Sequence, residues 1–339
     1  MIKILVSISG GRTSAYMAYM LKKHKSELAE FLKCEENEIE FIYVFANTGQ
    51  EHEDTLRFLN DVDKYMLDNQ IVWVEGVAQH DKRVSTQYNV VTYETCHKND
   101  QYELVTHPFH DHIIKYGIPN TSYKNCSREL KRNAINSYMK STGWHESDDT
   151  SFTAIGIRDD EKRRVAKAAG VRNIIYPLVD LFPCDKQDVI NWWKQFEYDL
   201  TIPEWQGNCV TCYKKSAKKL TKIFQESPGA YDFNKFMEAK YSTVGPEFEK
   251  HVDPVPRAFF RGRRTANDMI AYFTSTDTNV DDYIDIMKDA GCSESCEIYD
   301  IFIRTIFTPA FNNLHKIFLF ELAGPNVAII LVFRIYLLF

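Results

Sequence analysis

Short apolar runs alternate with longer segments of helical periodicity along the first half of the chain. The strand-like runs are residues 2–6, 40–45, 71–74 and 152–157. Helical patterns cover residues 14–31 and 51–67, and a further one follows Leu181 and carries Trp192 and Trp193. Because strands that alternate with helices of this length form βαβ units, the pattern predicts an α/β fold with a doubly wound parallel sheet.

The remainder of the chain has a less regular pattern. Residues 77–122 predict a long irregular excursion that contains three neighbouring histidines, His107, His110 and His112. These are compatible with a metal site, although a capped helix start with surface histidines is the favoured interpretation. From residue 201 onward we expect a smaller, mainly helical region.

The length of 339 residues permits one α/β domain with an appendage, or two modest domains. We predict a nucleotide-binding domain at residues 1–200, a helical cysteine-containing region at 201–300 and an apolar tail of uncertain order at 301–339. A membrane helix needs about 20 mostly apolar residues. Charged residues and Pro325 interrupt the tail, so we favour a buried strand or a poorly integrated tail over a membrane anchor.

Composition narrows the class of protein further. The net charge is −6, so no field of the whole protein attracts nucleic acid, and any basic site must be local. The N-terminus enters a strand directly, so we expect no signal peptide, no membrane attachment and a cytoplasmic location. In a reducing compartment the eight cysteines are candidates for metal or redox chemistry rather than for disulfides.

The first strand is followed by a glycine turn and a helix start. The turn has the sequence Ser9-Gly10-Gly11-Arg12-Thr13-Ser14. Adjacent glycines allow the backbone to approach an anion and to direct several N–H groups at it. The hydroxyl groups add donors, and the helix dipole favours negative charge at the same point. The turn therefore predicts a phosphate site, and the alternative is an ordinary strand-to-helix turn capped by Ser or Thr.

Two later strand ends carry further candidates for ligand binding. Thr48 and Gly49 follow the second strand, where a glycine permits close approach of a ligand. Arg158 and Arg164 follow a later strand, and Glu161 lies between them. Arginine binds phosphate or sulfate through its bidentate fork. A solvated, charged helix start is the alternative for this second segment.

Cysteines form the remaining chemical signal. Cys209 and Cys212 form a Cys-x-x-Cys pair, and Cys126 precedes them. With a fourth ligand from Cys292 or Cys296, they predict either a [4Fe–4S] cluster or a zinc site. Small buried cysteines without metal are the alternative. A basic and aromatic segment at 257–264 predicts contact with a phosphate or nucleic acid, with a basic surface loop as the other interpretation.

In their order along residues 1–220, these segments resemble the phosphoadenosine phosphosulfate (PAPS) reductase family of the PP-loop, adenine-nucleotide α-hydrolase-like superfamily, and most closely its branch common in phage and prophage genomes. The ordered motifs are Ser-Gly-Gly-x-x-Ser at 9–14, Asn47-Thr-Gly49, Cys126 with Arg128 and Lys131, Gly-x-Arg-x-x-Glu-x-x-Arg at 156–164, Tyr176-Pro177-Leu178 and Gly-Asn-Cys-x-x-Cys at 207–212. The resemblance implies a Rossmann-like fold that binds ATP or PAPS at residues 9–14. It also implies catalytic roles for Arg158, Arg164 and Lys131.

Three functions follow from this resemblance as expectations. The first is a PAPS reductase-like enzyme of sulfur chemistry, which receives its electrons from a thiol or an electron-donor protein. The second is an ATP-dependent adenylating thiolase that acts on tRNA or DNA. The family's Glu-Cys-Gly-Leu-His ending is missing from this chain, which favours the second function. The third is a nucleotide-binding module without turnover.

Overall fold

The computed structural model describes residues 1–82, 86–166, 172–245, 247–250 and 254–275. The strands are β1 (Ile2–Ile8), β2 (Ile39–Asn47), β3 (Ile71–Ala78), β4 (Thr86–Val91), β5 (Ser151–Ile155) and β6 (Ile174–Ile175). The helices are α1 (Arg12–Lys23), α2 (Lys25–Leu32), α3 (Glu53–Met66), α4 (Pro108–Tyr116), α5 (Ala134–Ser141), α6 (Pro177–Asp180), α7 (Lys186–Trp193), α8 (Ala217–Glu226), α9 (Asp232–Tyr241), α10 (Glu247–Lys250) and α11 (Ala266–Thr274). A π-helix, Ser127–Asn133, leads directly into α5. The predicted tail at 301–339 and the predicted ligands Cys292 and Cys296 lie outside the described residues.

The six strands form one sheet in the order β4-β3-β2-β1-β5-β6. All neighbouring pairs are parallel except β3 and β4, which are antiparallel. The fold is therefore mixed α/β with a mostly parallel sheet, and the prediction of a wholly parallel sheet is wrong at the β4 edge. Strand order reverses at β1, which lies between β2 and β5. Ligands of open α/β sheets bind beyond the strand ends at such a reversal.

Helices cover both faces of the sheet. Ile4 and Leu5 are both fully buried, and successive side chains of a strand point to opposite faces. On the Ile4 side, a hydrophobic cluster joins β1 to α1, α3 and α7. Helix α1 contributes Met17 and Leu21 at helical spacing. The predicted helix at 14–31 is broken at His24, whose non-helical backbone separates α1 from α2.

The segment predicted to be an irregular excursion is partly regular. Strand β3 continues to Ala78, β4 pairs with it, and a short 3₁₀ helix, Asn99–Gln101, precedes α4. His107 is the N-cap of α4 and Pro108 occupies its first turn, so the predicted helix start is confirmed. The histidines are not on the surface: His107, His110 and His112 are each at most 1% exposed.

The region after residue 201 is mainly helical, as predicted. Helices α8, α9 and α11 pack around a second hydrophobic cluster that includes Tyr231, Met237 and Met269. Phe109 and Ile113 of α4 belong to the same cluster, which explains why that helix is buried. The domain boundary at residue 200 stays a prediction. Within the described part of the chain, no helix combines the length and apolar character needed to cross a membrane.

Candidate functional site

The loop after β1 has the shape of an anion-binding turn. Gly10 has φ of +85°, and a Cβ at this position would lie 2.8 Å from Thr55 Cγ2, so only glycine fits without a shift. Helix α1 begins at Arg12, and its N-cap Gly11 makes no side-chain capping bond. The positive end of the helix dipole therefore faces the loop without a protein cap.

Two serines hold this loop in shape. The backbone N–H of Ser9 donates to Ser14 Oγ at 3.0 Å, and Ser14 Oγ donates to the carbonyl of Gly11 at 3.0 Å. The hydroxyl oxygens of Ser9 and Ser14 lie 3.0 Å apart. These bonds close the turn internally, so neither serine caps the helix in the way that the alternative interpretation requires.

The end of β5 packs directly on the start of α1. A Cβ at Gly156 would lie 3.1 Å from Ser14 Cα and 3.4 Å from Ser14 N. Two residues later, Arg158 Nη1 donates to Thr13 Oγ1 at 3.0 Å. The predicted arginine and the predicted loop therefore meet in space, at the point where the strand order reverses. Gly156 allows this approach because it has no side chain.

The arginines around the loop are held by carboxylates. Arg158 contacts Asp160 at 2.9 Å and Glu161 at 3.3 Å, and Arg164 contacts Glu161 at 2.5 Å. Arg12, which also lines the cleft over the loop, pairs with Asp199 at 2.6 Å. Glu161 thus contacts both predicted catalytic arginines.

A cleft of about 760 Å³ opens over the loop. Its near wall is formed by the 9–14 loop with Gly156, Arg158, Arg163 and Arg164. Its far wall comes from distant segments and includes Lys186, Glu204, Asn208 and Lys219. Lys186 and Lys219 both contact Glu204, at 2.7 and 3.2 Å. Sequence reasoning missed this far wall, because isolated lysines on helices look like ordinary surface residues.

The second predicted loop lies deeper than the cleft. Thr48 is 1% exposed, and its N–H and hydroxyl both donate to Glu51 Oε2, at 2.9 and 2.8 Å. Gly49 has φ of +77° and faces His107, whose Nε2 donates to its carbonyl at 3.1 Å. Among the described residues, the cleft lining does not include Thr48 or Gly49. The loop is instead held by the side chains of Glu51 and His107.

The contacts of His107 explain its protonation. Its Nδ1 accepts from the N–H of His110 at 3.4 Å while its Nε2 donates to Gly49, so the neutral ring uses both nitrogens. Burial lowers the pKa of His107 to about 4. The pKa of His112 is also lowered to about 4 by burial. Both side chains are therefore neutral at pH 7.

Lys131 and Cys209 lie close to the second loop. Lys131 Nζ, on the π-helix, lies 3.4 Å from Glu51 Oε1, and Cys209 Sγ lies 3.6 Å from Thr48 Oγ1. Cys126 Sγ lies 3.9 Å from the hydroxyl of Tyr213, which follows Cys212. In the described ranges, no three His, Cys, Asp or Glu side chains form a group that could hold a metal ion. A cluster completed by Cys292 or Cys296 therefore stays a prediction.

The basic and aromatic segment at 257–264 is not a nucleic-acid surface at its aromatic positions. Phe259 and Phe260 are 3% exposed and belong to the second hydrophobic cluster. Arg257 is buried, pairs with Glu247 and donates to the carbonyl of Tyr116 at 2.7 Å. The prediction that this segment contacts a phosphate or nucleic acid does not hold at Phe259 and Phe260, because these rings fill the core between α4 and α9.

These features define a class: an α/β protein with a glycine loop, after its first strand, that opens a cationic cleft at the reversal of strand order. The chain belongs to the family of the "Uncharacterized nin region protein ORF290" of Escherichia phage lambda. The two are 30% identical over 302 residues, which cover 87% of this chain and 94% of that protein. No family model matches the chain. No solved structure matches it either.

Proposed function

We propose that this protein is an enzyme of sulfur chemistry that binds an adenylyl nucleotide, ATP or PAPS, in the cleft over residues 9–14. The observation that carries the proposal is the contact between Arg158 and Thr13. It brings a cationic group to an uncapped helix N-terminus and a left-handed Gly10, which is the arrangement that favours a phosphate or sulfate. The volume of about 760 Å³ is within the range of pockets for ligands of nucleotide size.

The charges of the cleft support an anionic ligand. Arg158, Arg163, Arg164, Lys186 and Lys219 line it, opposed by Glu161 and Glu204. The surplus of cationic side chains stabilises a polyphosphate or a sulfate ester. The order of the motifs, which resembles that of PAPS reductases, supports the adenylyl nucleotide as the ligand.

An adenylating thiolase that acts on tRNA or DNA is the second candidate. The observation in its favour is the missing Glu-Cys-Gly-Leu-His ending, which bears the reductase nucleophile in the resembled family. In that case ATP adenylates the nucleic acid and pyrophosphate leaves. A nucleotide-binding module without turnover is the third candidate, and it predicts binding without product.

Product analysis separates the three candidates. The purified protein is incubated either with PAPS and a dithiol or with ATP and RNA or DNA, and sulfite and pyrophosphate are measured. The proposal predicts sulfite from PAPS, and loss of that product in Arg158→Ala. Pyrophosphate that appears only with nucleic acid would favour the thiolase.

A matched variant separates the role of Arg158 from a general effect of charge removal. Arg128→Ala removes an arginine that pairs with Glu129 at 2.6 Å and does not line the cleft. We expect this variant to keep nucleotide binding. If Arg158→Ala and Arg128→Ala both bound ATP and PAPS as tightly as the parent, the assignment of the cleft would be refuted.

A further inference from the structure

One part of the cleft lining is apolar. It consists of Val189 and Ile190 of α7 and of Leu200, Ile202 and Pro203 in the segment that follows this helix. Val189 and Leu200 are 2% and 7% exposed, and Ile202 and Pro203 are half-buried. The cleft therefore offers two kinds of surface to a ligand: polar donors at the 9–14 loop and the arginines, and apolar side chains within residues 189–203.

Arg12 joins the apolar segment to the loop. Its Nε donates to Asp199 Oδ1 at 2.6 Å and its Nη2 to Asp199 Oδ2 at 2.9 Å, which is the bidentate geometry of strong arginine–carboxylate pairs. Nη2 also donates to the carbonyl of Leu200. The carbonyl of Arg12 accepts from Trp193 Nε1 at 3.0 Å. Both the side chain and the main chain of Arg12 thus bind the loop to the chain between residues 193 and 200.

Helix α3 holds the same segment. Arg57 Nη2 donates to the carbonyl of Asp199 at 3.2 Å, and Thr201 Oγ1 donates to Asp54 Oδ2. Arg57 is itself paired with Asp54 at 2.8 Å and with Asp61 at 2.9 Å. Residues 199–201 are therefore bonded to α1 and to α3 at once. These bonds fix the position of the apolar side chains at 200–203 relative to the loop.

A phosphate loop beside an apolar surface suits a ligand with an anionic end and a flat ring. Sites for small molecules are lined mainly by apolar side chains, and a few polar groups fix the orientation of the ligand. The faces of a nucleobase are largely apolar, so its contact with Ile202 and Pro203 removes apolar surface from water. The position of this surface then decides how much binding free energy the base contributes.

We propose that Arg12 and Asp199 are positioning residues, which hold the apolar side chains of residues 200–203 against the base of a bound nucleotide. Arg12 belongs to the phosphate loop, but it acts on the base through Asp199 and not on the phosphates. The identity of the ligand as a nucleotide rests on the proposed function.

Calorimetric titration of ATP, PAPS and tripolyphosphate tests the proposal, because tripolyphosphate carries the charge but has no base. In Asp199→Asn, an NH₂ group replaces one of the two oxygens that accept from Arg12, and the bidentate pair is lost. We expect affinity for the nucleotide that the parent binds to fall about tenfold, which corresponds to the loss of about 60 Å² of apolar contact with the base. Affinity for tripolyphosphate should stay unchanged.

Two further variants test the apolar surface and the pairing. Ile202→Ala shortens a side chain that touches the base, so it should also lower affinity for the nucleotide and not for tripolyphosphate. The double variant Arg12→Gln with Asp199→Asn should lose no more nucleotide affinity than Asp199→Asn alone, because the two residues act as one pair.

Asp68→Asn is the matched control. Asp68 pairs with Lys22 of the same helix α1 at 2.6 Å and lies outside the described lining of the cleft. This variant also exchanges a paired carboxylate for an amide, and we expect it to bind nucleotide and tripolyphosphate as the parent does.

Three results would overturn the proposal. The first is nucleotide affinity in Asp199→Asn and Ile202→Ala equal to that of the parent. The second is an equal loss of affinity for nucleotide and for tripolyphosphate, which would make the pair part of the phosphate site. The third is additive losses in the double variant. Failure of the proposed function has a different signature, since the parent would then bind neither ATP nor PAPS, and the proposal would fall with it.

Discussion

Two buried histidines, one at the N-cap of α4 and one within it, make the stability of the fold depend on pH. His107 and His112 are 0% and 1% exposed, and burial lowers the pKa of each from its ordinary value of 6.5 to about 4. The neutral ring of His112 donates from Nε2 to Asn125 Oδ1, at 3.1 Å. At acidic pH the two histidines can therefore gain a proton only as charged groups inside the core or after the protein unfolds.

The direction of this pH dependence follows from the pH at which the folded and the unfolded state each bind the proton. As the pH falls below 6.5, the unfolded chain binds a proton on each histidine, while the folded protein does not until about pH 4. The free energy of unfolding is thus highest above pH 6.5 and decreases as the pH falls from 6.5 to 4. A pKa difference of this size corresponds to about 3 kcal/mol for each histidine, at ~1.4 kcal/mol per pKa unit.

Urea denaturation of the parent and of His112→Gln, from pH 8 to pH 4, measures this contribution. Glutamine keeps an N–H donor for Asn125 but does not titrate. Carboxylates also change protonation over this pH range. The relevant quantity is therefore the difference in the free energy of unfolding between the two proteins. We expect this difference to shift by about 3 kcal/mol in favour of His112→Gln between pH 7 and pH 4.

Phe109→Leu is the control on the same helix. Phe109 is buried in the second hydrophobic cluster, so its loss lowers the free energy of unfolding at every pH and leaves the slope with pH unchanged. If His112→Gln and the parent lost stability in parallel from pH 7 to pH 4, the reasoning from burial would be refuted.

Two glycines provide further predictions. Gly49→Ala should lower the free energy of unfolding by about 3 kcal/mol in urea denaturation, since left-handed backbone costs ~1–2 kcal/mol and the new Cβ would lie 2.2 Å from His107 Nε2. Gly262→Ala, with φ of +69° and open space around it, should lose only about 1 kcal/mol, and an equal loss in both would contradict the packing at Gly49. Gly156→Ala, whose Cβ would press on Ser14, should weaken ATP or PAPS binding about tenfold, or ~1.4 kcal/mol by calorimetry, and an unchanged Kd would argue against this packing.

Sequence patterns are sufficient to predict the central strands, but they do not predict strand β4 at the edge of the sheet. Strands β1, β2, β3 and β5 are apolar runs because they are buried on both faces, and each was predicted within a few residues of its ends. Strand β4 lies at the edge, and four of its six residues are polar or aromatic and alternate in exposure. Such a pattern is indistinguishable from a loop until its partner strand is known.

The candidate site is likewise predictable from the sequence only in part. The 9–14 loop, Arg158 and Arg164 are contiguous with strand ends, so topology alone brings them together. Lys186 and Lys219 reach the cleft through helices that are distant in sequence, and no local pattern marks them. The histidines of α4 are buried because a second hydrophobic cluster covers that helix, and their own sequence resembles that of a surface turn.

Calorimetric titration of ATP and of PAPS into the parent, Gly10→Ala and Gly143→Ala tests the central claim most directly. Gly10 and Gly143 share a left-handed backbone, with φ of +85° and +76°, but only Gly10 lines the cleft. We expect the parent and Gly143→Ala to bind at least one of the two nucleotides, and Gly10→Ala to lose this binding. No binding by the parent, or equal affinity in all three proteins, would contradict it.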